Sequence, residues 1–146
     1  MRSKKGFTLI EMLVVIAIIA VLVSVIIPTV TSATDKAEAA ADAANLRSTL
    51  GALNSEILIN QESADVFVAA MSPAESKYAP GAQLYAVFTV PGIIDVYYVD
   101  GSNYYGLDYL SDVAQNGSSS LPLTAPTLSA GATWYKVGVG PANPGT

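Results

Sequence analysis

From Phe7 to Ile27 only Thr8, Glu11 and Ser24 interrupt an otherwise continuous run of apolar residues. Wound as an α-helix, the 21 residues of this run rise about 1.5 Å each, roughly 32 Å in all, which matches the hydrocarbon core of a bilayer. The run also accounts for an unusual composition. Of the 146 residues 51% are hydrophobic and 13% charged, with a mean hydropathy of +0.43, whereas about a quarter of an ordinary soluble domain is charged. Arg2, Lys4 and Lys5 precede the run, and the next basic residue is Lys36. That asymmetry predicts a cytoplasmic N-terminus with the rest of the chain outside.

The length fits a single domain. With no cysteine and no histidine, the chain lacks disulfides, thiolate nucleophiles, imidazole acid–base groups and Cys/His zinc sites. Seven basic residues stand against twelve acidic ones. This argues against a nucleic-acid surface, which needs concentrated positive charge. No nucleophile has a recognisable base, and no glycine-rich loop follows the phosphate-binding pattern, so the sequence reads as a non-enzyme that needs no cofactor.

Three readings compete for the apolar run. A cleaved secretory signal would have an apolar stretch of about 7 to 15 residues before a small-x-small site; Thr31-Ser32-Ala33 could serve, but the stretch is longer and contains Glu11. A plain anchor has no use for Glu11 either. A charge inside a spanning helix costs at least about 2.5 kcal/mol near the bilayer centre, less near its edge, and marks function by default.

The third reading comes from the order of residues. Lys5-Gly6-Phe7-Thr8-Leu9-Ile10-Glu11-Met12-Leu13-Val14-Val15-Ile16-Ala17-Ile18-Ile19-Ala20, followed by Pro28, resembles the class III signal sequence and N-terminal helix of type IV prepilins and the related pseudopilins. Four independent elements carry the resemblance: a short basic leader, Gly before Phe, Glu at the fifth position after that junction, and Pro at the twenty-second. It covers about the first 30 residues, and the remainder matches no motif.

The resemblance implies that a prepilin peptidase cuts between Gly6 and Phe7 on the cytoplasmic face and methylates the new amino group of Phe7. Residues 1–6 are then a leader, with Arg2, Lys4 and Lys5 as its charge. The segment 7–27 stays in the membrane as a reservoir of subunits, to be extracted by an assembly ATPase and an inner-membrane platform protein. In a filament core an unpaired Glu11 carboxylate and an unpaired Phe7 ammonium would each be costly. Pairing Glu11 with Phe7 of a neighbouring copy offsets both and fixes axial register.

Pro28 either ends the spanning helix or kinks one that continues. Ala39, Ala43, Leu46, Leu50, Leu53 and Ile57 recur at spacings of four and three, a helical stripe that favours continuation to about Asn60. Asp35, Lys36, Glu38, Asp42, Arg47 and Glu56 are expected on its other faces. The segment 61–146 reads as a head with a short helix over Glu62 to Met71. Strands follow over Gln83 to Val90, Ile93 to Val99, Asn103 to Leu110 and Thr133 to Val139, with turns at Pro91-Gly92 and Asp100-Gly101 and a loop over Ala114 to Gly131. The expected fold is α+β: a long N-terminal helix, transmembrane over 7–27 and amphipathic over 28–60, packed on a small antiparallel sheet of about four strands.

Weaker features lie in the head. Asp95, Asp100, Asp108 and Asp112 do not follow the calcium-loop spacing, so no metal site is expected. Tyr97, Tyr98, Tyr104, Tyr105 and Tyr109 read as cross-strand packing rather than as a ligand-stacking or charge-transfer array. Asn116-Gly117-Ser118 fits both a glycosylation acceptor and a turn.

Two functions share this mechanism: a pilin forming a homopolymeric surface filament for adhesion, motility or DNA uptake, and a type II secretion pseudopilin. An exported binding protein on an uncleaved anchor is the third. Without residues 1–6, four basic and twelve acidic side chains remain, an acidic chain expected to bind bare DNA poorly.

Overall fold

The computed structural model describes residues 6–59, 64–89, 93–128 and 131–144. Arg2, Lys4, Lys5, Asn60 and the Pro91-Gly92 turn lie outside them. The chain divides into two compact units, Met1–Thr34 and Asp35–Thr146, and helix α1 (Leu9–Ile59) contributes residues to both. The helix continues through Pro28, as the stripe beyond it requires.

In the second unit the stripe is the core-facing side of α1. Ala39, Ala43, Leu46 and Leu53 are buried and Leu50 is partly so. Small alanines at its start let the backbone come close to what covers it; the leucines then fill wider space. Against them stand Leu84 and Ala86 of β1 (Gln83–Thr89) and Ile94, Val96 and Tyr98 of β2 (Ile93–Asp100). These are alternate residues of each strand, which share one face of the sheet. Val68 of the short helix α2 (Ala64–Ala70) joins the same cluster.

The sheet is antiparallel with five strands, in the order β3-β2-β1-β4-β5. Strand β3 is Asn103–Gly106, β4 is Thr133–Lys136 and β5 is Gly140–Pro141. Asp100 pairs with Asn103 across a two-residue turn in which Gly101 has φ 59°, the left-handed geometry a tight hairpin demands.

Three expectations need correction. The strand expected over Asn103 to Leu110 stops at Gly106 and gives way to helix α3 (Leu107–Asn116). Leu110 and Val113, three apart, are buried there, and Gly117 closes the helix in the left-handed region by donating its N–H to the Val113 carbonyl at 2.7 Å. The expected final strand over Thr133 to Val139 turns back after Lys136 and adds β5, giving a fifth strand. Asp42, expected on an outer face of α1, is fully buried. It accepts hydrogen bonds from Ser76 Oγ, from Lys77 N at 2.9 Å and from Tyr78 N at 3.0 Å. One carboxylate thus satisfies the polar groups of the loop leading into the sheet and ties that loop to α1.

Candidate functional site: the N-terminal processing segment

Gly6 and Phe7 precede the helix in backbone without regular structure, and Phe7 is 75% exposed. A Cβ built on Gly6 would meet nothing within 4 Å, and its backbone is not in the left-handed region. Among the described residues, neither packing nor a left-handed backbone calls for glycine at position 6.

Thr8 caps α1. Its N–H and its hydroxyl each donate to Glu11 Oε2 at 2.8 Å, and the Glu11 N–H donates back to Thr8 Oγ1 at 3.3 Å. This reciprocal pair is a capping box, with a hydroxyl at the cap and a carboxylate three residues on satisfying donors that the first turn leaves free. The spacing Thr-x-x-Glu before an apolar run carries the signal for this cap in the sequence, and sequence reasoning missed Thr8. Both bonds to the carboxylate use Oε2, so Oε1 accepts none among the described residues.

Beyond the cap the helix is apolar on every side. From Leu9 to Val30 its large hydrophobic residues are exposed. It is long and apolar enough to cross a membrane. Its hydroxyls are satisfied within the helix: Ser24 donates to the Val21 carbonyl at 2.7 Å, Thr29 to Ile26 at 2.7 Å and Thr31 to Pro28 at 3.0 Å. Such back-bonding lets polar side chains enter hydrocarbon without an orphaned donor.

Residues 1–27 match the family model of the prokaryotic N-terminal methylation motif. The chain carries a class III prepilin signal. The motif supports a type IV pilin or a pseudopilin, and the exposed apolar helix fits a membrane-anchored precursor. No curated protein and no solved structure matches the chain.

The charged and aromatic residues of the head belong to the second unit. Asp112 accepts from Asn116 Nδ2 at 2.6 Å and Ser119 Oγ at 2.9 Å, and these bonds hold its carboxyl below the usual range. Asn116 is the last residue of α3 and Gly117 its cap, so the Asn-Gly pair acts as a helix stop. Tyr78, Tyr105 and Tyr109 form one aromatic cluster, with centroids 5.8 to 6.4 Å apart. Tyr85, Tyr97 and Tyr104 form another around Trp134. Sequence reasoning expected tyrosines packed across strands; it missed that Trp134 is the hub, because β4 reaches the sheet from 27 residues beyond Gly106.

Proposed function

We propose that this chain is the structural subunit of a type IV pilus. Prepilin peptidase cleaves between Gly6 and Phe7 and methylates the Phe7 amino group, and the subunit waits in the cytoplasmic membrane with its N-terminus inside. An assembly ATPase and a platform protein then draw it into a helical homopolymer at the cell surface, with the 7–27 segments as the filament core. The role is mechanical rather than catalytic.

The observation that carries this reading is the segment joining the accessible Gly6–Phe7 junction to an uncovered apolar helix, with Glu11 in its first turn. An apolar surface that large needs a cover, and bilayer and filament supply it in turn. Glu11 serves both states: Oε2 is held by Thr8, and Oε1 is left for the Phe7 ammonium of a neighbouring copy.

Mass spectrometry of the mature protein tests processing: a chain beginning with methylated Phe7 is expected, and retention of Met1 or a start near Thr34 would refute it. Electron microscopy of sheared surface fibres tests assembly, long fibres containing this chain being expected of a pilin and their absence pointing to a pseudopilin. Glu11→Gln separates the two roles of the carboxylate, because glutamine completes a capping box without charge. Processed Glu11→Gln subunits should fail to polymerise, as Glu11→Ala subunits should. Filaments at normal yield from Glu11→Gln would reduce Glu11 to a cap.

A further inference from the structure

The head contains a groove of about 380 Å³ where the end of β3, the start of α3 and the loop after α3 meet. That volume lies within the range of small-molecule sites, roughly 300 to 1,000 Å³. Its walls include Tyr97, Tyr104, Asp95 and Asp108, with Pro122 and Pro126 on the loop side. The loop is fixed beside the sheet edge by the Tyr104 N–H, which donates to the Leu123 carbonyl at 3.0 Å.

The Tyr97 ring is locked in place. A Cβ on Gly106 would lie 2.8 Å from Tyr97 Cε1, so the ring occupies the space that glycine leaves empty. Trp134 stands 5.9 Å from both Tyr97 and Tyr104. Asp95 and Asp108 are exposed at the groove, and none of the lysines and arginines beyond Asp35 lines it. Burial, then the Asp95 and Asp108 carboxylates, push the Tyr97 hydroxyl up to about 12. Both carboxylates thus act on one point in the groove.

We propose that this groove binds an organic cation, a guanidinium or ammonium group on a short apolar stem, with its charge at Asp95 and Asp108 and its stem against Tyr97 and Tyr104. Two carboxylates in a groove that no lysine or arginine lines make it electronegative, and aromatic ring faces add attraction for a positive group. A neutral sugar would also stack on the rings, but it has no use for the two carboxylates. The proposal stands independently of the processing and assembly of the N-terminal helix.

Trp134 is the chain's one tryptophan, and its emission reports on the groove through its contacts with Tyr97 and Tyr104. The full chain in detergent is titrated with propylguanidinium, choline and the blocked tripeptide Gly-Arg-Gly. A saturable emission change is expected with the cations, the tighter carrier showing whether a free small cation or a peptide side chain is preferred. Asp95→Asn and Asp108→Asn should each weaken binding about fivefold or more. Asp95→Asn lies on a strand and keeps the test valid if Asp108→Asn loosens the first turn of α3. No saturable change, an equal response to choline's neutral isostere 3,3-dimethylbutanol or to glucose, or unaltered affinity in the doubly substituted chain would each overturn the proposal.

Discussion

The two parts of helix α1 have the same backbone geometry and differ in what their side chains reach. Before Asp35, the hydrogen bonds of Thr8, Ser24, Thr29, Thr31 and Thr34 all close within three or four residues, and the large apolar groups stay exposed. After it, Lys36 donates to the Gln115 carbonyl, Arg47 to Ser111 Oγ, and Asp42 gathers donors from residues 76–78. The second part completes a core with its own chain. The first closes its hydrogen bonds within the helix and leaves its large apolar side chains exposed.

The contrast is broken most severely at the junction. Gly6→Val should abolish leader removal while leaving head stability unchanged, because position 6 has open space around it; immunoblots for precursor together with a denaturation curve would reveal either failure. Next in size, Leu46→Ala should destabilise the head by about 2 to 5 kcal/mol, whereas Ile18→Ala should shift the same urea midpoint by under about 0.5 kcal/mol. Equal effects would mean that the two parts of α1 are not separate in energy.

Asp42→Ala leaves the donors of Ser76, Lys77 and Tyr78 without their acceptor and should cost about 2 to 3 kcal/mol, with Asp42→Asn recovering part of it. A smaller loss, about 1 kcal/mol and confined to the helix start, is expected of Thr8→Ala. Faster amide exchange at residues 9–12 with no change in the head would show it; an effect on the head would contradict the division.

The mildest effect is alkaline. Burial, reinforced by Tyr109, holds the Tyr78 hydroxyl up at about 12, and Tyr97 is raised to the same level, against about 10 in an unfolded chain. Because the folded state keeps these protons longer, their contribution is complete below about pH 10 and is lost as the pH climbs toward about 12. Burial raises Tyr98 and Tyr105 as well, so absorbance titration at alkaline pH should resolve a group of late tyrosines, one of which Tyr97→Phe removes. A single transition near 10 would count against it.

The same contrast explains what the sequence disclosed. Motif, span and orientation are read along a line, and the interactions of residues 6–34 are local, so position in the sequence is nearly sufficient there. In the head, period-four-and-three spacing identified the buried stripe. Asp42 falls three residues after Ala39, at the border of that stripe, but nothing local indicates that donors more than 30 residues away will meet it. The aromatic run Tyr104-Tyr105-Gly106-Leu107-Asp108-Tyr109-Leu110 masked the change from strand to helix, since tyrosine and leucine suit both. Strand β5 has only two residues, too short for any pattern, and the Asp95–Asp108 groove exists only once β2 and α3 are neighbours.

The Thr8–Glu11 cap lies wholly on the C-terminal side of the Gly6–Phe7 bond. The hydrogen bonds of this cap thus come from residues that the proposed cleavage leaves in the mature chain. On the proposed cleavage, loss of the leader would cost the helix none of these bonds.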